Sequence, residues 1–142
     1  MTDYLIDTHA HLDFLELYDR LEEVLNNAKN SNVKRIISIS TNLNKIDKII
    51  NLSYENEEVF FTVGIHPNEV LKDENNSNYH LINNISKKVK CVGIGECGLD
   101  YHYGQDGIKE QKLSFITQIN VARDTGLPLI IHSRDADEDM IN

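Results

Sequence analysis

Four side chains that can bind metal ions stand where apolar runs of the sequence end. His9 and His11 follow the first run, Glu96 follows the fourth, and His132 follows the fifth. Residues two apart in a strand share a face, so His9 and His11 can point at one ion. Two imidazoles and a carboxylate suit Zn²⁺, Mn²⁺ or a similar ion. Their combination at strand ends therefore predicts a metal site.

Each of these residues also has an ordinary structural explanation. An isolated His-x-His pair usually lies on the surface, and a lone Glu96 at a strand end is usually solvated or caps a helix. His132 after an apolar run is equally compatible with a hydrogen-bonded core histidine. The metal interpretation rests on the three positions taken together, since each of them ends a strand.

The elements that would position these residues alternate along the chain. Five runs, at 4–6, 35–39, 59–63, 91–94 and 129–131, are short, β-branched or aromatic and largely free of charge. They are typical of buried parallel strands. Helical patterns lie between them, at 17–28, 43–53, 81–89 and 111–123, and another helix starts at about Arg134. This alternation predicts either a doubly wound sheet or a (β/α)8 barrel.

The fourth helical pattern predicts a buried face. Phe115, Ile119 and Ala122 fall on one stripe of the helix, and we expect that stripe to pack on the sheet. Gly126 and Pro128 are expected to end this helix before the next strand.

Length and charge limit what the chain can be. Its 142 residues suit one domain, whereas a complete (β/α)8 barrel needs roughly 200 residues or more. The sequence ends inside an apparent helix, so we expect it to be truncated. Its net charge of −9 makes it a poor non-specific binder of nucleic acid or anionic membranes. A phosphate ligand would therefore need local positive charge, such as a metal ion.

The sequence also indicates a reducing, cytoplasmic location. It contains no run long enough to span a membrane and no recognisable secretory signal. Cys91 and Cys97 are expected in one strand, where the geometry for a disulfide is poor.

Four ordered motifs resemble the TatD family of metal-dependent deoxyribonucleases, within the amidohydrolase-type barrels. They are DTHAHLD at 7–13, GIHP at 64–67, GIGECGLDY at 93–101 and LPLIIHSR at 127–134. The third motif is the most specific, and the resemblance extends over essentially the whole chain. It implies an α/β fold of the (β/α)8 TIM-barrel type, truncated to about five βα units. Residues 1–142 would then form a single, incomplete TatD-like barrel domain.

The resemblance also implies a site for two divalent ions (Mg, Mn or Zn). His9, His11 and Glu96 would hold one ion with an Asp from an eighth strand. Glu96 and His132 would hold the other with a His from a sixth strand, so that Glu96 bridges the ions. A water activated by both ions would cleave DNA phosphodiester bonds. Both of these further ligands are missing from the sequence, including the Asp expected to act as general base. The chain therefore has no identified catalytic base and is expected to be inactive alone.

Three other side chains are expected to contact the substrate. His66 and Arg134 lie at predicted strand ends and suit a phosphate group, and His102 follows the Glu96 motif. Their alternative roles are loop structure for His66 and a solvated position for Arg134.

Two alternative functions remain open from the sequence. The site can act on another ester, such as a small phosphoester or an aminoacyl ester on transfer RNA, because metal barrels serve many substrates. Alternatively, the chain is a non-catalytic fragment. DNA is the substrate expected from the resemblance, and neither a membrane nor a protein partner is indicated.

Overall fold

A computed structural model of the chain describes residues 3–73, 78–104 and 106–141. Its centre is one sheet of five parallel strands in the order β1-β2-β3-β4-β5, so each strand pairs with the next one along the chain. The strands are β1 (Leu5–Ala10), β2 (Val33–Ser38), β3 (Val59–Val63), β4 (Cys91–Asp100) and β5 (Leu129–Arg134). Every predicted strand is present.

Helices connect the strands. They are α1 (Leu15–Tyr18), α2 (Leu21–Asn30), α3 (Ile46–Glu55), α4 (Tyr79–Ser86), α5 (Ile108–Thr125) and α6 (Asp137–Ile141). A 3₁₀ turn at Leu43–Lys45 precedes α3, and another at Pro67–Glu69 follows β3. The last helix begins after the predicted position near Arg134, because Asp135 adopts a φ of +54° and turns the chain first.

The strand order decides between the two architectures that the sequence left open. A doubly wound sheet reverses its strand order at a switch point, whereas a barrel adds strands in sequence. All five strands are parallel and strictly sequential, as in a barrel wall. The prediction of five βα units of the (β/α)8 TIM-barrel type is therefore confirmed.

The core lies between β3 and the helices that cover the sheet. Phe61 and Val63 of β3 are fully buried and pack in one cluster with Ile49 of α3 and Ile82 of α4. Val59 of β3 is also fully buried, in a second cluster with Leu52 of α3. The outer strands differ, since Leu5 in β1 is 61% exposed and Ile131 in β5 is 53% exposed. Within the described ranges, no helix is long and apolar enough to cross a membrane.

Helix α5 packs on the sheet through a different face from the predicted one. Ile119 is exposed, whereas Gln111, Ser114 and Gln118 are buried along with Val121. Of the predicted stripe, Ala122 is buried in the core and Phe115 is half-buried, so the prediction is wrong at Ile119 and the buried face is shifted from the predicted one. The physical reason is that the glutamine amides hydrogen-bond the backbone at two strand ends. These bonds offset the cost of burying a polar face.

Strand β4 approaches β5 closely at a glycine. Gly98 has a φ of +138°, and a Cβ at this position would overlap the carbonyl oxygen of His132. Glycine is therefore required for β4 to pair with β5 here, where Gly98 is opposite His132. This pairing brings Glu96, two residues before Gly98 in β4, beside His132.

Candidate metal centre

The four candidate metal ligands and His66 converge on one cavity at the C-terminal ends of the strands. The cavity has a volume of about 430 Å³. It is lined by His9, His11, Phe14, Thr41, Lys45, His66, Glu69, Glu96 and His132. This edge is where parallel α/β folds place their active sites.

Glu96 is at the centre of the cluster. Its side chain is largely buried, and its backbone N–H donates to the carbonyl of Ser40 at 2.9 Å. Its Oε2 lies 3.3 Å from His9 Nε2 and 3.8 Å from His11 Nε2. Its other oxygen, Oε1, lies 3.2 Å from Nδ1 of His132. One carboxylate therefore faces two separate sets of imidazole nitrogens.

The ring of His11 is held in a fixed orientation. Its Nδ1–H donates to the carbonyl of Ile39 at 3.1 Å, which leaves the Nε2 lone pair directed toward Glu96. The ring of Phe14 stacks on the imidazole with a centroid distance of 4.7 Å and an interplanar angle of 16°. His11 thus presents a nitrogen suited to a cation without further rearrangement.

A second group of donors lies on the other side of Glu96. His66 Nε2 is 3.1 Å from His132 Nδ1, and His132 Nε2 is 3.1 Å from Asp100 Oδ2. His66, Glu96 and His132 offer ligand atoms that all lie within 4.8 Å of one another, as do His9, His11 and Glu96. The two groups share Glu96.

The chemistry and spacing of these atoms fit divalent ions. Ligand atoms bonded to one ion at about 2.1 Å are separated by roughly 3 to 3.5 Å. The 3.3 Å between His9 and Glu96 and the 3.2 Å between His132 and Glu96 agree with that spacing. Nitrogen-rich donor sets of this kind suit Zn²⁺ or Mn²⁺ better than Mg²⁺, which prefers oxygen ligands.

Two buried glutamines of α5 hold the backbone beside the site. Gln118 accepts the N–H of Ile65 at 3.0 Å and donates to its carbonyl at 3.2 Å. Gln111 makes the same pair of bonds with Asp100, at 2.9 and 3.0 Å. Because Ile65 precedes His66 and Asp100 contacts His132, one helix positions both imidazoles of the second group.

Burial and neighbouring charge shift several pKa values in this region. Burial lowers the pKa of His66, and the nearby His132 lowers it further. Burial raises the pKa of Asp100, but the hydrogen bonds from Asn68, the His102 backbone and His132 outweigh it and lower the pKa overall. The site thus favours a neutral imidazole at His66 and an ionised carboxylate at Asp100.

Two of the expected substrate residues lie elsewhere. Arg134 is exposed, with its guanidinium over the ring of Tyr103 and Nη1 3.4 Å from the phenol oxygen. His102 is also exposed, and its Nδ1 lies 2.9 Å from Asp135 Oδ2. Neither Arg134 nor His102 is among the described residues that line the cavity. His66 does line it, so its role in substrate binding stays a prediction that the geometry permits.

The sequence did not single out Lys45, Phe14 and Glu69, which also line the cavity. Lys45 ends the 3₁₀ turn after β2, within a pattern that sequence periodicity assigns to a helix. A usable signal was its positive charge in the segment that follows the polar end of β2. Glu69 accepts from Lys72 at 2.8 Å and from Asn42 at 3.1 Å, so its carboxylate is engaged outside the metal groups.

Comparisons with known proteins give a consistent result. A family model described as "TatD related DNase" matches residues 6–142. The chain is 38% identical over 138 residues to a Bacillus subtilis protein named "uncharacterized metal-dependent hydrolase YabD", covering 96% of this chain and 53% of that protein. It is 32% identical over 152 residues to human "deoxyribonuclease TATDN3", covering 97% of this chain and 55% of that protein.

A solved structure agrees with the fold. The crystal structure of the TatD homologue YjjV from Escherichia coli K12 matches with a TM-score of 0.84 and 26% sequence identity, over 95% of this chain and 52% of YjjV. The chain spans about half the length of the curated relatives and of the solved structure that it matches.

Proposed function

The chain belongs to the family of TatD-related DNases, and from this premise we propose that it supplies a metal-binding site for hydrolysis of phosphodiester bonds in DNA. The observation that carries the proposal is Glu96, whose two oxygens face different imidazole groups. A single carboxylate shared in this way suits a pair of ions. Two-metal sites are a common solution for phosphodiester cleavage.

We assign the ligands from the geometry. His9, His11 and Glu96 would hold one ion, and Glu96 and His132 would hold the second. When bound, the two ions would polarise the phosphodiester and lower the pKa of a water molecule. Glu96 would keep both ions close together, and the Ile39 carbonyl would keep the His11 ring in its binding orientation.

Positive charge near the cavity supports an anionic substrate. The chain carries a net charge of −9, so a phosphate must find its attraction locally. Lys45 lines the cavity and supplies a positive charge, and neutral His66 lines it with a ring N–H that can donate a hydrogen bond. We propose that these two side chains contact phosphate oxygens while the ions hold the reacting group.

The two ligands that the resemblance adds, a His and an Asp, are not supplied by the five strands. We therefore propose that the 142 residues alone bind ions weakly and hydrolyse DNA poorly. We also propose a cytoplasmic location, because Cys91 and Cys97 are free and buried, which suits a reducing compartment.

A different ester is the second candidate substrate. A cavity of about 430 Å³ is the size of a small-molecule site, and the acidic chain opposes long polyanions. This favours a small phosphoester or the ester end of an aminoacyl transfer RNA over an extended stretch of DNA.

The experiment compares hydrolysis of DNA, a small phosphodiester and an aminoacyl ester by the pure chain and by YabD, each loaded with Mn²⁺. Strong DNA cleavage by YabD, together with weak DNA cleavage by the chain, would support the proposal. Turnover of the other esters but not DNA would replace it with the second candidate. Strong DNA cleavage by the chain that His9→Ala abolishes would show that the five strands suffice.

A further inference from the structure

We propose that Asp100 is a positioning residue that keeps the proton of neutral His132 on Nε2, so that the Nδ1 lone pair is the atom offered to a metal ion. The inference deepens the proposed function, since it rests on His132 being a ligand. It assigns the ring atom that binds and the residue that selects it.

Asp100 is built to accept hydrogen bonds only. The residue is 2% exposed, and two N–H donors and a ring nitrogen of His132 surround its carboxylate. Oδ1 accepts the backbone N–H of His102 at 3.0 Å, and Oδ2 accepts Nδ2 of Asn68 at 2.8 Å. Oδ2 also lies 3.1 Å from Nε2 of His132. Because an ionised carboxylate has no hydrogen to give, this last contact is a bond only when His132 carries its proton on Nε2.

The carboxylate is also prevented from turning away. Gln111 holds Asp100 at both its backbone N–H and its carbonyl, at 2.9 and 3.0 Å. Asn68 occupies the remaining side of Oδ2. The orientation of Asp100 is therefore fixed by the fold rather than by His132, which is what a positioning residue requires.

The other ring nitrogen of His132, Nδ1, faces Glu96 and His66 instead of Asp100. Nδ1 lies 3.2 Å from Glu96 Oε1 and 3.1 Å from His66 Nε2. A lone pair on Nδ1 repels the carboxylate oxygen unless a proton or a cation is shared between them. A metal ion shared by Nδ1 and Oε1 removes this repulsion, whereas a proton on Nδ1 would leave Nε2 facing Asp100 without a hydrogen.

The backbone also fixes the orientation of His66. The N–H of Asn68 donates to Nδ1 of His66 at 3.1 Å, so neutral His66 carries its proton on Nε2. The Nε2–H group of His66 points at Nδ1 of His132. Neutral His66 therefore has no free ring lone pair for a cation and is not a third ligand. Without metal its Nε2–H donates to the Nδ1 lone pair of His132, and a bound cation would take that lone pair in its place.

Asp100→Asn tests the assignment because it changes hydrogen bonding with little change in shape. An amide cannot accept at both of its terminal atoms. The backbone N–H of His102 cannot turn, whereas the side-chain amide of Asn68 can present its oxygen instead of its NH₂. The asparagine would therefore keep its oxygen at the His102 N–H, direct its NH₂ toward Asn68 and His132, and favour the ring proton on Nδ1. The ligand lone pair would then be lost. Asp73→Asn is the matched control, since Asp73 is equally buried and its Oδ2 accepts the N–H of Leu43.

The experiment reads the ring proton directly, by nitrogen NMR of the metal-free full chain at alkaline pH, where imidazoles are neutral. Zn²⁺ affinity is then measured by calorimetry. We expect the His132 proton on Nε2 in the wild type and Asp73→Asn, and on Nδ1 in Asp100→Asn. We expect Asp100→Asn to weaken Zn²⁺ binding by about 10- to 100-fold. Asp73→Asn should stay within about twofold of wild type.

A wild-type proton on Nδ1, or an Asp100→Asn variant with unchanged tautomer and affinity, would overturn the inference. If circular dichroism shows that Asp100→Asn does not fold, the wild-type tautomer decides alone. Neither measurement involves DNA, so a chain that cleaves another ester, or none, can still support the role of Asp100.

Discussion

Oε1 of Glu96 lies 3.2 Å from Nδ1 of His132, while the other oxygen of the same carboxylate faces the β1 histidines. The first set of nitrogens comes from the end of β1, and the second comes from His132 on β5 and from His66, which follows β3. Glu96 on β4 is the group common to both. Removing its charge should therefore affect both ion sites at once.

Glu96→Gln should weaken binding of all divalent ions by more than about tenfold, since even groups that only orient a ligand contribute about 10- to 100-fold. Calorimetric titration of the chain with Zn²⁺ measures this. Glu69→Gln is the control, because Glu69 lines the same cavity but is paired with Lys72 and Asn42. Equal losses in the two variants would mean that the cavity attracts cations only through its overall charge.

Lys45→Gln should lower the affinity for a short single-stranded oligonucleotide several-fold, and should reduce the salt dependence of binding by about one released ion. Fluorescence anisotropy across a salt series gives both quantities. Lys87→Gln makes the same charge change on an exposed residue that lies outside this cavity. If the two variants behave alike, DNA is attracted by general charge and not by the cavity.

Gly98→Ala should destabilise the chain by more than about 2 kcal/mol, because the new methyl group combines an unfavourable φ with a collision against the His132 carbonyl. Gly104→Ala separates these causes. Gly104 has a φ of +119° but open space around its Cβ position, so we expect only the backbone cost, about 1 kcal/mol or somewhat more. Urea denaturation of the two variants measures the difference, and similar losses would contradict the close approach of β4 to β5.

The free energy of unfolding should fall as the pH rises from 9 toward 11. Burial raises the pKa of the Cys91 thiol from 9.0 to about 11, so above pH 9 the thiol ionises in the unfolded chain before it does so in the folded one. The contribution of this thiol to the free energy of unfolding is fully present below pH 9. It is lost as the pH rises through about 11, at up to about 1.4 kcal/mol per pH unit.

Denaturation at several pH values tests this expectation. Cys91→Ala should show a shallower decline than the wild type. Val63→Ala removes volume from the same core cluster without removing an ionisable group, so it should lower stability equally at every pH. A Cys91→Ala slope that matches the wild type would show that other groups control the alkaline transition.

The sequence predicted the strands well because buried parallel strands have a distinctive composition. The run at 59–63 coincides with β3, Val59–Val63. Strand β4 was the least well predicted, since the apolar run stops at Ile94 but the strand continues to Asp100. Pairing with β5 extends it through glycines that have no strand preference of their own.

The buried face of α5 shows a second limit of sequence patterns. Gln111 and Gln118 lie on one face of the helix, yet glutamine is normally exposed. Only the positions of Ile65 and Asp100 reveal what the two amides bind. Residue type identified His9, His11, Glu96 and His132 as candidates, but the direction of each ring nitrogen depends on backbone carbonyls and amides brought in by other strands.

The sequential strand order has a consequence for how the molecule acquires its site. Each strand pairs with the one made just before it, so the sheet can grow from β1 to β5 as the polypeptide leaves the ribosome, with contacts of modest sequence separation at every step. The donors do not follow that order. His9 and His11 are synthesised first, but they acquire their carboxylate partner only when β4 is added, and the second imidazole group needs β5. A nascent chain can therefore complete its two donor groups only after β4 and β5 have been added.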